Sequence, residues 1–206
     1  IAYVFGYRGR CMGRFTAFWG RAILALAGVR LNVRGLENVP SGRAVIFMSN
    51  HQGAFDIPAL QWAVPVDFRW VAKKSLFKAP LIGWSLALAG HIPIERENAV
   101  SAFKSLEDAV DKIKSGTSVV IFPEGTRSES NELLPFKRGA FMLAAKSGVP
   151  VVPVAITGTK GILKRGGFFI TPADVSISFG APFPTEGVEE KTLRTMTKDS
   201  IKKMLR

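Results

Sequence analysis

Apolar positions along the chain recur with two periods. Compact apolar runs at 44–49, 118–122 and 149–156 read as buried strands, 68–72 as another strand, and 90–96 as a short strand ending in Glu95-Arg96. Residues 30–35 add a short strand, and 175–179 alternate apolar with polar as an edge strand does. Between them the spacing turns helical. From 99 to 114, Ala99, Ala102, Phe103, Leu106, Val110 and Ile113 share one face, and Gly116 ends the pattern. Further helices are predicted from residue 57, over 138–147 with Gly148 as its stop, and over 188–206, where Leu193, Met196, Ile201 and Leu205 turn inward beneath a basic outer face. Strands alternating with helices predict an α/β fold: a single domain with a central, mostly buried mixed β-sheet flanked by helices.

Two segments stand apart. Over 14–31, Phe15, Phe18, Trp19, Ala22, Ile23, Leu26 and Val29 form one helical face, with Arg8, Arg10, Arg14, Arg21 and Arg30 around it. Aromatics beside arginines suit a helix lying in a membrane interface, and an amphipathic helix packed on the domain has the same pattern. The expectation is a membrane-docking segment at 1–30 ahead of an α/β domain at 31–206. Residues 76–89 are apolar nearly all round, with Lys78 the only charge, as in a core helix or a membrane-facing one. No apolar run approaches the ~18 residues a spanning helix needs. The chain starts with Ile1 rather than Met, which suggests a trimmed or truncated start.

Composition narrows the classes. With 206 residues, 47% of them hydrophobic, one sizeable core is expected. A net charge of +12 draws phosphates: nucleic acid, anionic lipid or a phosphorylated substrate. A mean hydropathy of +0.18 alongside that charge favours a membrane face, and no zinc-finger or RNP pattern supports nucleic acid. Cys11 is the only cysteine, which excludes an intrachain disulfide and a Cys-rich metal site and fits a reducing compartment.

Candidate chemistry centres on Asn50-His51-Gln52-Gly53-Ala54-Phe55-Asp56, between a strand and a helix. A carboxylate that accepts one imidazole N–H fixes the tautomer and leaves the other nitrogen as a base. Asp56 is equally suited to cap the helix that follows, and His51 to bond a loop. Downstream, Phe122-Pro123-Glu124-Gly125-Thr126-Arg127-Ser128 follows another strand. Its glycine admits close approach to backbone, Arg127 offers a fork for phosphate, and Thr126 and Ser128 offer hydroxyls. A surface turn would look the same, and the segment is no Walker loop. Glu95-Arg96 and Lys73-Lys74 read as exposed charge, and His91 as a structural residue. With no G-x-S-x-G elbow and no placed cysteine, no enzyme nucleophile stands out, which points to direct attack by a substrate hydroxyl.

Taken in order, these pieces resemble the glycerolipid acyltransferase family, the 1-acylglycerol-3-phosphate acyltransferases of the bacterial type, over residues 30–185. The blocks are N-H-x4-D at Asn50, His51 and Asp56; Gly90, Ile92, Ile94, Glu95 and Arg96, with Pro93 where phenylalanine is frequent; F-P-E-G-T-R-S at 122–128; and Val152-Pro153-Val154-Ala155-Ile156. Residues 72–76 and 136–139 are similar to the family as well. The resemblance implies acyl transfer from acyl-CoA or acyl-carrier protein to the hydroxyl of lysophosphatidic acid, giving phosphatidic acid. It implies His51 as the base and Asp56 as its orienting partner. Arg96, Glu124, Gly125, Thr126 and Arg127 would bind the acceptor, with Lys73 adding charge. Neither metal nor resident cofactor is implied. The partners would be lysophosphatidic acid, the acyl donor and a phospholipid surface, at the cytoplasmic face of a bacterial inner membrane, with no nucleic acid. Alternatives are an acyltransferase for glycerol-3-phosphate, a lyso-ornithine lipid or another lysophospholipid, a non-catalytic basic membrane-binding module, and a thioesterase or lipase-type hydrolase.

Overall fold

The computed structural model describes residues 10–128, 130, 132–164 and 166–206, with side chains from Phe15 onward. Arg8 and the side chains of Arg10, Cys11 and Arg14 lie outside the described residues. Seven strands form one sheet: β1 (Arg30–Arg34), β2 (Ile46–Ser49), β3 (Phe68–Lys73), β4 (Ile92–Ile94), β5 (Ser118–Ile121), β6 (Val151–Thr157) and β7 (Asp174–Phe179), in the spatial order β1-β7-β6-β2-β5-β3-β4. Neighbours pair in parallel except β6 and β7, so β1 and β7 run against the other five and the sheet is mixed. The helices are α1 (Arg10–Leu26), α2 (Asp56–Ala63), α3 (Ile82–Leu88), α4 (Ala99–Lys114), α5 (Arg138–Ser147) and α6 (Glu190–Met204).

Both faces of the central strands are covered, which is why they read as continuous apolar runs. Along β2, Phe47 enters the core under α1 and α2, while Ile46 and Met48 enter the core under α4, α5 and α6. β6 divides likewise, Val152, Val154 and Ile156 to the first face and Val151 and Ala155 to the second. Pro93 sits in β4, at the sheet's edge, where a missing N–H leaves no outer partner unsatisfied.

Several expectations need correction. The 175–179 strand is not an edge: β7 lies between β1 and β6 and is bonded on both sides. Its alternation reflects burial of Val175, Ile177 and Phe179 on one face only. In α6 the buried line is Leu193, Thr197 and Ile201, and Met196 points out. Phe103 of α4 is half exposed, with the Lys146 ammonium 4.7 Å from its ring centre. Residues 76–89 are not one helix. A 3-10 turn (Lys74–Lys78) is followed by a break at Leu81, φ 63°, and by the short α3, which leaves Leu76, Leu81, Ile82, Trp84 and Leu88 exposed.

The predicted apolar face divides: Phe15, Phe18, Trp19 and Leu26 are exposed, while Ile23 and Val29 meet the core. The helix docks by the side that carries Gly20 and Leu24. A Cβ on Gly20 would come 2.7 Å from the carbonyl oxygen of Pro58, so α1 and α2 meet backbone to backbone. Buried Gln61 of α2 donates to Thr16 (2.9 Å) and accepts from the Trp70 indole (3.1 Å), tying α1 through α2 to β3. Among the described residues no helix is long and apolar enough to cross a membrane.

His91, between α3 and β4, accepts the Trp70 backbone N–H at Nδ1 (3.1 Å). Burial, with the Arg69 charge second, lowers its pKa to about 4. The unfolded chain takes up this proton near pH 6.5. Stability is therefore whole above about pH 6.5 and declines as pH falls towards 4. At pH 5 the loss should be about 2 kcal/mol. Thermal unfolding at pH 7 and 5 will show it, and His91→Asn, which keeps an acceptor but does not titrate, should flatten that dependence.

Candidate active site

All five co-directional strands end at the same rim of the sheet, the edge where open α/β sheets bind ligands. β2 delivers His51 and Asp56, β3 delivers Lys73, β4 delivers Arg96, β5 delivers the 122–128 loop, and β6 delivers Thr159. The β2 end is lengthened by a side chain. Buried Asn50 donates to the carbonyl of Ile156 (2.9 Å) and accepts its N–H (2.8 Å), imitating one more rung of the ladder to β6.

His51 Nδ1 lies 2.6 Å from Asp56 Oδ2. That oxygen also accepts the N–H groups of Gln52 (2.6 Å) and Gly53 (3.0 Å), and Oδ1 accepts the hydroxyl of Thr159. Asp56 is fully buried, with a compensating donor on every side. It does not cap the helix. Phe55 occupies the N-cap position, and the carboxylate bonds backwards into the turn. Gly53 is required there, because a Cβ would sit 2.7 Å from the Thr159 carbonyl oxygen. The imidazole stacks on Phe122, centroids 4.0 Å apart and planes 10° apart, and Phe122 stacks in turn on Trp70.

The loop after β5 holds the His51 backbone at both ends. Glu124 Oε1 accepts the His51 N–H (2.9 Å), and the His51 carbonyl accepts the Ser128 N–H (2.8 Å). Glu124 Oε2 accepts the Leu134 N–H (2.9 Å). Burial pushes the Glu124 carboxyl above the usual range, against those two N–H donors and the neighbouring imidazole, while the Asp56 carboxylate pushes it the same way as burial.

A cavity of about 420 Å³ opens beside the dyad. Its wall is mostly apolar, including Val71, Ile94, Leu106, Ile121 and Leu143, with Glu95, Arg96, Glu124, Thr126 and Lys137 as polar members. His51 and Asp56 do not line it; Phe122 and Glu124, which touch His51, do. Arg96 Nη1 donates to the carbonyl of Gly125 (3.1 Å), and Gly125, φ 75°, leaves the guanidinium room: a Cβ there would lie 3.0 Å from it. Of the predicted acceptor residues, Arg96, Glu124, Gly125 and Thr126 line this cavity. Arg127 is exposed outside it, and Lys73 pairs with Glu97 (2.8 Å). Glu95 does not pair with the Arg96 side chain. It accepts the N–H groups of Arg96 and Glu97, which hold its carboxyl below the usual range. Among the described residues no three His, Cys, Asp or Glu side chains are grouped as a metal site.

A family profile described as Acyltransferase matches residues 30–157, from β1 to the end of β6. The chain belongs to the Acyltransferase family. The chain is 40% identical over 138 residues to the chloroplastic 1-acyl-sn-glycerol-3-phosphate acyltransferase BAT2 of Brassica napus, covering 66% of this chain and 40% of that protein. It is 35% identical over 168 residues to a 1-acyl-sn-glycerol-3-phosphate acyltransferase of Limnanthes alba (81% and 59%) and 32% identical over 164 residues to the alpha form of Homo sapiens (79% and 58%). The chain thus spans between 38% and 59% of the length of such relatives. The crystal structure of the 1-acyl-sn-glycerophosphate (LPA) acyltransferase PlsC from Thermotoga maritima superposes with a TM-score of 0.83 at 30% identity, covering 94% of this chain and 78% of that one.

Three residues of the site carry no sign of their role in the sequence: Thr159 at the dyad, Phe122 as the platform under the imidazole, and Lys137 in the cavity wall. Thr159 is 103 positions from Asp56, and only the β2–β6 pairing brings them together. Glu124 has a different place from the one expected: both oxygens are engaged by backbone N–H groups, so it braces the histidine loop. Glu124→Gln must oppose an NH2 to one of those N–H donors. It should cost about 2 kcal/mol in stability. It should also lower kcat while leaving the acceptor KM nearly unchanged. Unfolding curves and steady-state kinetics check both; a rise confined to the acceptor KM would instead mean that Glu124 binds acceptor.

Proposed function

We propose that this chain transfers a fatty acyl group from acyl-CoA or acyl-carrier protein to the free hydroxyl of 1-acylglycerol-3-phosphate, giving phosphatidic acid, with His51 as general base. The observation that carries the chemistry is the 2.6 Å contact between His51 Nδ1 and Asp56 Oδ2. Asp56 keeps the proton on Nδ1, so Nε2 carries the lone pair. Among the described residues Nε2 has no hydrogen-bond partner within the chain. In the proposed step Nε2 takes the acceptor's hydroxyl proton as its oxygen attacks the thioester carbonyl. The tetrahedral intermediate collapses, the C–S bond breaks, and the leaving thiolate recovers the proton from the imidazolium. No acyl-enzyme is needed in this step, because the hydroxyl of the acceptor is itself the nucleophile.

The acceptor assignment draws on relatives that carry 1-acyl-sn-glycerol-3-phosphate acyltransferase in their names, and on the charge beside the dyad. Arg96, with Gly125 and Thr126, binds the phosphate, Lys73 and Arg127 add positive charge along the same rim, and the apolar cavity wall suits an acyl chain. The enzyme works at a membrane surface, on the cytoplasmic face of a bacterial inner membrane, where both lipids reside.

The experiment is a transfer assay on purified variants. His51→Ala should lower kcat by about 10³-fold or more, and Asp56→Asn by about 10²-fold or more, with near-native circular dichroism for the first. Arg96→Ala should act chiefly on the acceptor KM. Near-normal turnover by His51→Ala would overturn the proposal.

A further inference from the structure

The excursion from β6 to β7 does more than supply Thr159. Ile162 is buried in the core, Thr171 donates its N–H to the Ile162 carbonyl (2.9 Å), and Leu163 bridges to Ile170. Beyond that rung the chain turns on Gly166, φ 73°, with the Gly167 N–H on the Lys164 carbonyl (2.9 Å). The result is a narrow hairpin whose far end carries Phe168 and Phe169, 94% and 91% exposed, and half-exposed Ile170. Its return arm stands on the end of α1: a Cβ on Gly28 would lie 3.1 Å from Pro172, and the Arg30 N–H bonds to the Ala173 carbonyl (3.1 Å). Leu26, 89% exposed, lies two residues before that junction.

Among the exposed aromatics of the described residues these two project furthest, and they stand side by side at one tip. Charge indicates what covers them. From 157 to 173 the sequence contains Lys160, Lys164 and Arg165 and no aspartate or glutamate. A tip of two adjacent phenylalanines, in a segment whose only charged residues are basic, suits penetration of a fluid, anionic surface. We infer that the Phe168–Phe169 tip is a membrane anchor in its own right, distinct from α1, inserted into the interface of a bilayer containing anionic phospholipid. This rests on the membrane-surface reading above and adds the point of contact. Thr159, which bonds Asp56, lies three residues before Ile162 of the stem, so the anchor and the dyad share one connection.

The test uses the full chain in a Cys11→Ser background with an environment-sensitive fluorophore on Phe169→Cys, and on Lys112→Cys of α4 as control. Vesicles are phosphatidylcholine alone or with roughly one-third phosphatidylglycerol. The expected result is a blue shift at 169 and none at 112, stronger on the anionic vesicles. Phe168→Ser/Phe169→Ser should partition about tenfold or more less onto them. Its turnover of a short-chain, monomeric 1-acylglycerol-3-phosphate without vesicles should be unchanged. Water-like emission at 169 with unchanged partitioning would overturn the inference, as would a change confined to self-association in sedimentation. Insertion at 169 in a protein that acylates no acceptor would contradict the proposed function and leave the anchor standing; acylation without insertion would do the reverse.

Discussion

The carboxylate of Asp56 is the constraint on which the site depends. A fully buried charge is costly unless its oxygens are met by donors. Here the donors come from the histidine ring, the Gln52 and Gly53 backbone and the Thr159 hydroxyl. Solvating one carboxylate thus joins the loop after β2 to the loop after β6. The turn at Gly53 and the packing of Ile162 behind Thr159 are conditions for it. The imidazole is oriented because it is one of the groups that make Asp56 tolerable as an anion.

The rest of the rim is braced in the same currency of satisfied polar groups. Asn50 extends β2 by one side-chain rung, and Glu124 joins the His51 and Leu134 backbones. Each is buried, and each would leave orphaned partners if truncated. Phe122 closes the other face of the imidazole and separates it from the cavity that holds Arg96 and Lys137. The base and the cations of that wall, which share it with Glu95 and Glu124, are thus neighbours across one aromatic ring, an arrangement suited to a substrate with a hydroxyl at one end and a phosphate at the other.

Much of this was legible in the sequence because the central strands are buried on both faces and the helices are sharply periodic. Helices over 99–114 and 138–147 follow from spacing and a glycine stop, whereas the separation of His51 and Asp56 at a strand end left a helix cap and a loop contact open, and the order of the four blocks favoured the pair. The β7 strand misled, because alternation reports one-sided burial and says nothing of pairing. Met196 misled because helical spacing alone does not say which side of an apolar stripe meets the core. The aromatic stripe of α1 reads from sequence as either packed or exposed, and only the close approach at Gly20 shows which side docks. Thr159 and the bracing role of Glu124 had no local signature: one depends on strands brought together across the sheet, the other on backbone N–H groups that no residue pattern reports.

The central claim, that His51 delivers a lipid hydroxyl and not water to a thioester, is tested most directly by stoichiometry. Purified chain would be given an acyl thioester with and without 1-acylglycerol-3-phosphate, and released thiol counted against phosphatidic acid. The account predicts equal amounts of both, formed only when acceptor is present. Thiol release matched by free fatty acid, at the same rate with or without acceptor, would contradict it.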